Sequence, residues 1–234
     1  MHGCFVTGTD TGVGKTVLSA AIVAALRAQG SDAVGLKPIV TGTEDPPPAP
    51  WPADHELLAA VSQLRVEQVN FASYGPPVSP HLAAELSGRP VDPPALVAAI
   101  RRIGAAHETV IVEGVGGLLV PLGGGYGVRE LACELGLPVV LVARPGLGTI
   151  NHTLLTLEAA RTSGLDVAGV VLNPWPADPD PMQRSNRDTI AAFGEVAVAT
   201  FAQLSGPDPA VLASAGAALP LSAWMGAVSD RARL

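Results

Sequence analysis

The stretch GTDTGVGKT, residues 8–16, gathers the residue types that hold a polyphosphate. Gly8, Gly12 and Gly14 let the backbone turn tightly and aim its N–H groups at an anion. Lys15 supplies a mobile cation for the outer phosphates, and the Thr16 hydroxyl suits Mg2+. The spacing is a variant: five residues separate Gly8 from Gly14, one more than in the usual phosphate loop. A glycine turn with a solvated lysine would leave the flanking pattern unexplained. The β-type run GCFV (3–6) precedes the loop, and a helical pattern opens near Thr16, so the first helical amides and the helix dipole add to the cradle.

Further chemistry is marked by position. Thr7, Lys37, Glu113, Arg144 and Asn173 each stand just past a short apolar run, and open α/β sheets bind ligands beyond the carboxyl ends of their strands. Glu113 closes TVIVEG and leads into GVGG (114–117). A carboxylate there completes a Mg2+ shell in the manner of a Walker B acid; the plain alternative is a capping acid without a ligand. Gly114, Val115 and Gly116 join it among the expected nucleotide-binding residues. Lys37 beside phosphates stabilises transferring charge, the alternative being a solvated strand end. Arg144 reads only as a surface or interface charge.

These residues need a scaffold, and the chain spells one. The runs 3–6, 33–36, 109–112, 138–143 and 167–172 are continuously apolar, as suits strands buried on both faces. Helical patterns cover 16–29, 54–64, 80–87, 93–106, 128–135, 150–163 and 182–193. Ser79 and Asp92, each followed by proline, mark helix starts, and Gly30, Gly136 and Gly164 mark helix ends. The alternation predicts an α/β fold: a mostly parallel sheet with helices on both faces, P-loop NTPase-like, in one domain over 1–234. TEDPPPAPWPA (43–53) breaks the rhythm. It is expected to be an exposed loop, better suited to a mobile active-site flap than to a PxxP ligand. The stretch after 205 carries little readable periodicity.

Composition narrows the function. With 48% hydrophobic and 15% charged residues, the sequence builds a core. A net charge of −7 argues against nucleic-acid and anionic-membrane partners, both of which attract basic patches. Cys4 and Cys133 fit no metal-ligand spacing or disulfide framework and read as small buried apolar residues in a reducing compartment. No signal peptide or bilayer-length apolar run stands out, so the expected location is the cytoplasm.

FVTGTDTGVGKT, GLKPIVTG, VSPHLAAELSGRP, VIVEGVGGLLVPL and GLGTINHTLLTLEAA occur in this order, and together they resemble the dethiobiotin synthetase family from residue 3 to about 175. The resemblance implies an ATP- and Mg2+-dependent ligase that closes CO2 (or bicarbonate) onto 7,8-diaminononanoate as a cyclic urea. It implies that Lys15 and the 12–17 amides, including those of Gly12, Val13, Gly14 and Val17, hold the triphosphate. Thr16, Asp54 and Glu113 would share the metal, although Asp54 alone reads as the N-cap of helix 55–64. Lys37 matches the catalytic lysine, with Lys15 beside it. Thr11 and Thr41 would touch substrate. LGTINH matches the segment that receives the substrate carboxylate from the neighbouring subunit, which places Gly148, Thr149, Ile150 and Asn151 at a homodimer interface; the amides of Thr149 and Ile150 open a helix there. Asn173 matches an adenine-reading residue. The family often has a Gly-x-x-Pro element after its last strand, where this chain reads VATFAQL (198–204) without proline.

The chemistry so implied needs no nucleophilic side chain, so His81 and His152 read as structural or hydrogen-bonding residues. A rival of another class shares the variant loop: the partitioning and septum-placement ATPases, nucleotide-switched scaffolds on DNA or membrane. They typically carry a second lysine in the loop or a basic anchoring surface. Here the loop has Asp10 and Thr11 and the chain is acidic. The glutamine-dependent amidoligases of cobalamin synthesis start similarly but need a further domain for which 234 residues leave no room.

Overall fold

The five apolar runs form five of six parallel strands in one central sheet. The computed structural model describes residues 1–227; the end of the expected domain, 228–234, lies outside the described residues. In chain order the elements are β1 (His2–Gly8), α1 (Lys15–Ala28), β2 (Ala33–Leu36), β3 (Ile39–Val40), α2 (Asp54–Ser62), α3 (Val66–Val69), β4 (Ala72–Ser73), α4 (Pro80–Leu86), α5 (Pro93–Ala106), β5 (Thr109–Gly117) and β6 (Pro121–Gly123). There follow β7 (Tyr126–Gly127), α6 (Val128–Leu135), β8 (Val139–Ala143), α7 (Thr149–Thr162), β9 (Val167–Trp175), α8 (Pro181–Gly194), β10 (Val198–Ala202), α9 (Pro209–Ala217), α10 (Leu221–Trp224) and β11 (Gly226–Ala227).

The sheet runs β10-β9-β8-β1-β5-β2, all parallel, and β11 pairs antiparallel with the start of β1. Alternate strand residues feed opposite layers. Cys4, Val6, Ile111, Val140 and Val142 face a core completed by Leu18, Ile22, Leu58 and Leu212 from α1, α2 and α9. Phe5, Val110, Val112 and Val139 face another with Leu96, Ile100 and Leu131 from α5 and α6. Burial of both strand faces is why these runs show no polar alternation. β1 lies at the centre; the chain moves to one side for β2 and β5 and to the other for β8, β9 and β10. Strand order therefore reverses beside β1, and the crevice at that switch point is where such sheets bind ligands.

Local signals behave as their chemistry requires. The Asp92 carboxylate accepts the Ala95 amide at 3.0 Å and starts α5, and Gly30, Gly136 and Gly164 all adopt positive φ at helix ends. Ser79 is the N-cap of α4 ahead of Pro80, although its hydroxyl pairs with His81 Nδ1 at 3.0 Å and not with a helix amide. Three expectations change. Asp54 is not the N-cap of α2, which is Ala53. Cys4 is buried, but Cys133 is exposed, because it sits on the outer side of α6. VATFAQL does not follow the last of the parallel strands: Val198–Ala202 is that strand, β10, paired in parallel with β9. The loop 43–53 holds no helix or strand and is exposed through residue 50, after which Trp51 leans on the core.

Candidate active site

Strand register brings the charged strand ends together. Val6 pairs with Glu113, and Leu36, next to Lys37, pairs with Val112. Glu113 therefore lies beside the end of β1, and Lys37 leaves the sheet level with it. Gly8 pairs with Gly117, so the glycine-rich end of β5, with Gly114, Val115 and Gly116, runs along the phosphate loop. The loop then enters α1 through Gly14, whose φ of 88° is left-handed. A side chain at Gly14 would also strike the Asn173 amide, so glycine is required there twice over.

The result is an ionic cluster buried except at Asp54, whose side chain is half exposed. Lys37 (4% exposed) and Glu113 (1%) are buried, with Lys15 (6%) and Thr16 beside them. Lys37 Nζ lies 2.5 Å from Glu113 Oε1 and 2.9 Å from Asp54 Oδ2. Thr16 donates its hydroxyl to the same Glu113 oxygen at 2.8 Å, and Lys15 Nζ donates to the Asp10 carbonyl at 3.0 Å. Burial works against the Lys37 charge, but the Glu113 and Asp54 carboxylates outweigh it and hold its pKa above the usual lysine value. Burial and the neighbouring Lys37 charge push Lys15 down to about 8, against the pull of the carboxylates. Burial raises Glu113 above the ordinary carboxylate range, with Lys37 opposing. Burial also acts upward on Asp54, but the Lys37 charge and hydrogen bond prevail and its pKa is lowered.

The donor set fits a small hard cation. Glu113 spends Oε1 on Lys37 and Thr16, while its Oε2 is buried without a partner. The Asp54 carboxylate points at Lys37, not at the amides of its own helix. Carboxylate and hydroxyl oxygens of this kind suit Mg2+.

Around the cluster the other expected residues separate into near and far. Asn173, buried at the end of β9, donates Nδ2 to the Val13 carbonyl at 2.8 Å; its amide is thus fixed against the phosphate loop with Oδ1 as the remaining acceptor. Thr11 is exposed at the loop crown near Gly116, Val17 is half-buried in the first turn of α1, and Thr41 is half-buried just past β3. Gly148 and Asn151 are exposed at the start of α7, with Ile150 half-buried and Thr149 buried. The Thr149 amide is taken by the Gly146 carbonyl at 3.2 Å, so the first-turn amides that remain for an anion are those of Ile150 and Asn151, not Thr149. No sequence signal singled out two further contacts. Asn186, buried on α8, clamps the Pro145 and Gly146 carbonyls at 2.9 and 3.3 Å. Arg144 reaches the Asp10 carboxylate at 2.6 Å.

A glycine loop between the central strand and its helix, with a buried lysine and an acidic strand end beside it, defines a P-loop nucleotide-binding α/β protein. A family model described as an AAA domain matches residues 2–204. The chain is 48% identical to the ATP-dependent dethiobiotin synthetase of Anaeromyxobacter dehalogenans (strain 2CP-1), over 82% of this chain and 85% of that one. It is 43% identical to the enzyme of the same name from Mycobacterium avium (strain 104), over 82% and 83%. Among solved structures, the MinC:MinD cell division protein complex of Aquifex aeolicus matches with a TM-score of 0.60 at 13% identity, covering 93% of each chain, a likeness of fold alone. The chain belongs to the ATP-dependent dethiobiotin synthetase family.

Proposed function

We propose that this chain acts as a single domain within a cytoplasmic homodimer and uses ATP to close CO2 onto 7,8-diaminononanoate, giving dethiobiotin. Identity of 43–48% to enzymes named ATP-dependent dethiobiotin synthetase supports an ATP-dependent ligase. The observation that carries the reading is the Lys37–Glu113–Thr16 cluster, sealed at the switch point beside the phosphate loop. The fold shared with MinD brings no function at 13% identity. Among the described residues, no helix is long and apolar enough to cross a membrane.

One substrate amine adds to CO2 and loses a proton, leaving a carbamate. A carbamate oxygen attacks the γ-phosphorus of ATP, and ADP leaves. The second amine attacks the carbamoyl carbon of the resulting anhydride, the carbon–oxygen bond to phosphate breaks, and the proton lost from that amine leaves with the phosphate as the urea ring closes. Negative charge develops on oxygen in every step and no side chain has to form a covalent bond, so the protein's part is positioning and charge stabilisation. Lys15 and the amides of residues 12–17 hold the triphosphate. Thr16, Asp54 and Glu113 would hold Mg2+, which would supply charge neutralisation for the phosphates. Lys37, kept cationic by its carboxylate neighbours, stabilises the carbamate and the transferring phosphoryl group. Asn173 turns Oδ1 to the base. Thr11 and Thr41 contact the diamine, and Gly148, Ile150 and Asn151 of the neighbouring subunit receive its carboxylate, with Thr149 closing the turn beneath them.

The test is the dependence of ATP turnover on co-substrate. ADP release should require both 7,8-diaminononanoate and bicarbonate and should match cyclic urea formed. Hydrolysis stimulated by DNA or lipid vesicles, and indifferent to the diamine, would overturn the proposal in favour of a nucleotide-switched scaffold.

A further inference from the structure

Arg144 stands at the carboxyl end of β8, one strand over from the phosphate loop. Its guanidinium Nη2 lies 2.6 Å from Asp10 Oδ2 and 3.4 Å from the Thr11 carbonyl. The other Asp10 oxygen accepts the Thr11 amide at 2.7 Å, and the Asp10 carbonyl accepts Lys15 Nζ. Asp10 is thus built into the crown of a loop that must surround a triphosphate, although its carboxylate has the wrong sign for that ligand. At the distances within such a loop, like charges repel appreciably even in a wet setting, and a free carboxylate would compete with the phosphates for Lys15. Both members of the Arg144–Asp10 pair are more than half exposed. A pair so open to water contributes little to folding stability, so its consequence is expected at the loop.

We propose that Arg144 is a positioning residue for the nucleotide: it neutralises and orients Asp10, which lets an acidic side chain shape the phosphate loop without repelling the triphosphate. The segment behind it is anchored. Pro145 and Gly146, which follow Arg144, are clamped by Asn186, and Gly148 then opens α7. One short segment therefore braces the phosphate loop at its start and presents the first turn of α7 at its end. The inference rests on the phosphate-loop reading given above.

A double-mutant cycle tests it, read as the KM for ATP with Mg2+ and as the affinity for a fluorescent ATP analogue. Arg144→Ala should raise the KM about tenfold with Asp10 present and less than about twofold in the Asp10→Asn background, since the charge to be neutralised is then gone. The rate at saturating ATP should change less than the KM. Arg144→Lys, which keeps the charge, should stay within about threefold of the parent. Thermal melting of each variant separates a folding defect, which Asp10→Asn would not relieve. An equal loss in both Asp10 backgrounds, or no loss in either, overturns the role, as does a lysine variant as weak as the alanine one. If the parent protein fails to bind the nucleotide and Lys15→Ala changes nothing, the phosphate-loop reading itself fails; normal binding with a non-converging cycle removes only Arg144.

Discussion

An exposed cluster at one end of the sheet and a buried pair at the other stand in opposite settings. At the amino ends, Asp32 meets Arg27 at 3.7 Å and His107 at 2.9 Å, with every member partly open to solvent. A shallow concavity lined by Arg27, Gly30, Ser31, Asp32 and Gln63 lies there. At the carboxyl ends, Lys37 and Glu113 are closed off from water. Exposed pairs form at little cost and contribute little. A buried pair costs desolvation that its own attraction hardly returns, so a fold gains little stability by keeping one. A concavity alone therefore does not mark the site. The ions drawn under the protein surface do, because a reaction needs their charge in a place with little water.

The contrast breaks most visibly at Lys15. Lys15→Ala should cut turnover by about a thousandfold while far-UV circular dichroism stays that of the parent; near-normal synthesis would return the loop to a plain glycine turn. Lys37 sharpens the contrast from within the cluster. Lys37→Gln should lower kcat by about a hundredfold and move nucleotide affinity by less than about threefold; equal losses in steady-state rate and in binding would place it in the triphosphate clamp. Subunit mixing extends the comparison to α7, whose first turn is exposed. Lys37→Ala and Asn151→Asp homodimers should each be nearly inactive. Randomly paired, they should regain about one site in four, since about half the dimers are mixed and each mixed dimer keeps one intact site. No recovery in demonstrated mixed dimers would confine the site to one chain. The smallest effect belongs to the other end of the sheet: Asp32→Ala should shift stability in urea by less than about 1 kcal/mol and leave turnover as it was.

The parts legible in the sequence are those where one residue type answers to one physical demand. Continuous apolar runs announced five parallel strands because both of their faces are buried, and Lys37 and Glu113 were marked by standing at strand ends. β10 is an edge strand: only Phe201 of its five residues is buried, so no continuous apolar run marks it in the sequence. α9 is hidden by its Ala-rich sequence, yet it packs so tightly on α1 that a side chain at Gly216 would strike the Ala21 carbonyl. Asp54 could not be told from a cap by its neighbours in sequence, because its partner, Lys37, comes from another element. Arg144 and Asp10 are separated by 134 residues, a distance that no local pattern bridges. The start of α7 is legible in its helical pattern, but which of its amides stays free depends on a turn closed by Gly146.

The central claim is that ATP held beside the buried cluster passes its γ-phosphoryl group directly to a carbamate. The most direct measurement supplies C18O2 with ATP, Mg2+ and diaminononanoate in a single rapid turnover and weighs the phosphate released. Attack by a carbamate oxygen on phosphorus, followed by cleavage of the carbon–oxygen bond, predicts one 18O in each phosphate and the other in the urea carbonyl. Phosphate free of label, with the urea formed in equal amount, would contradict it.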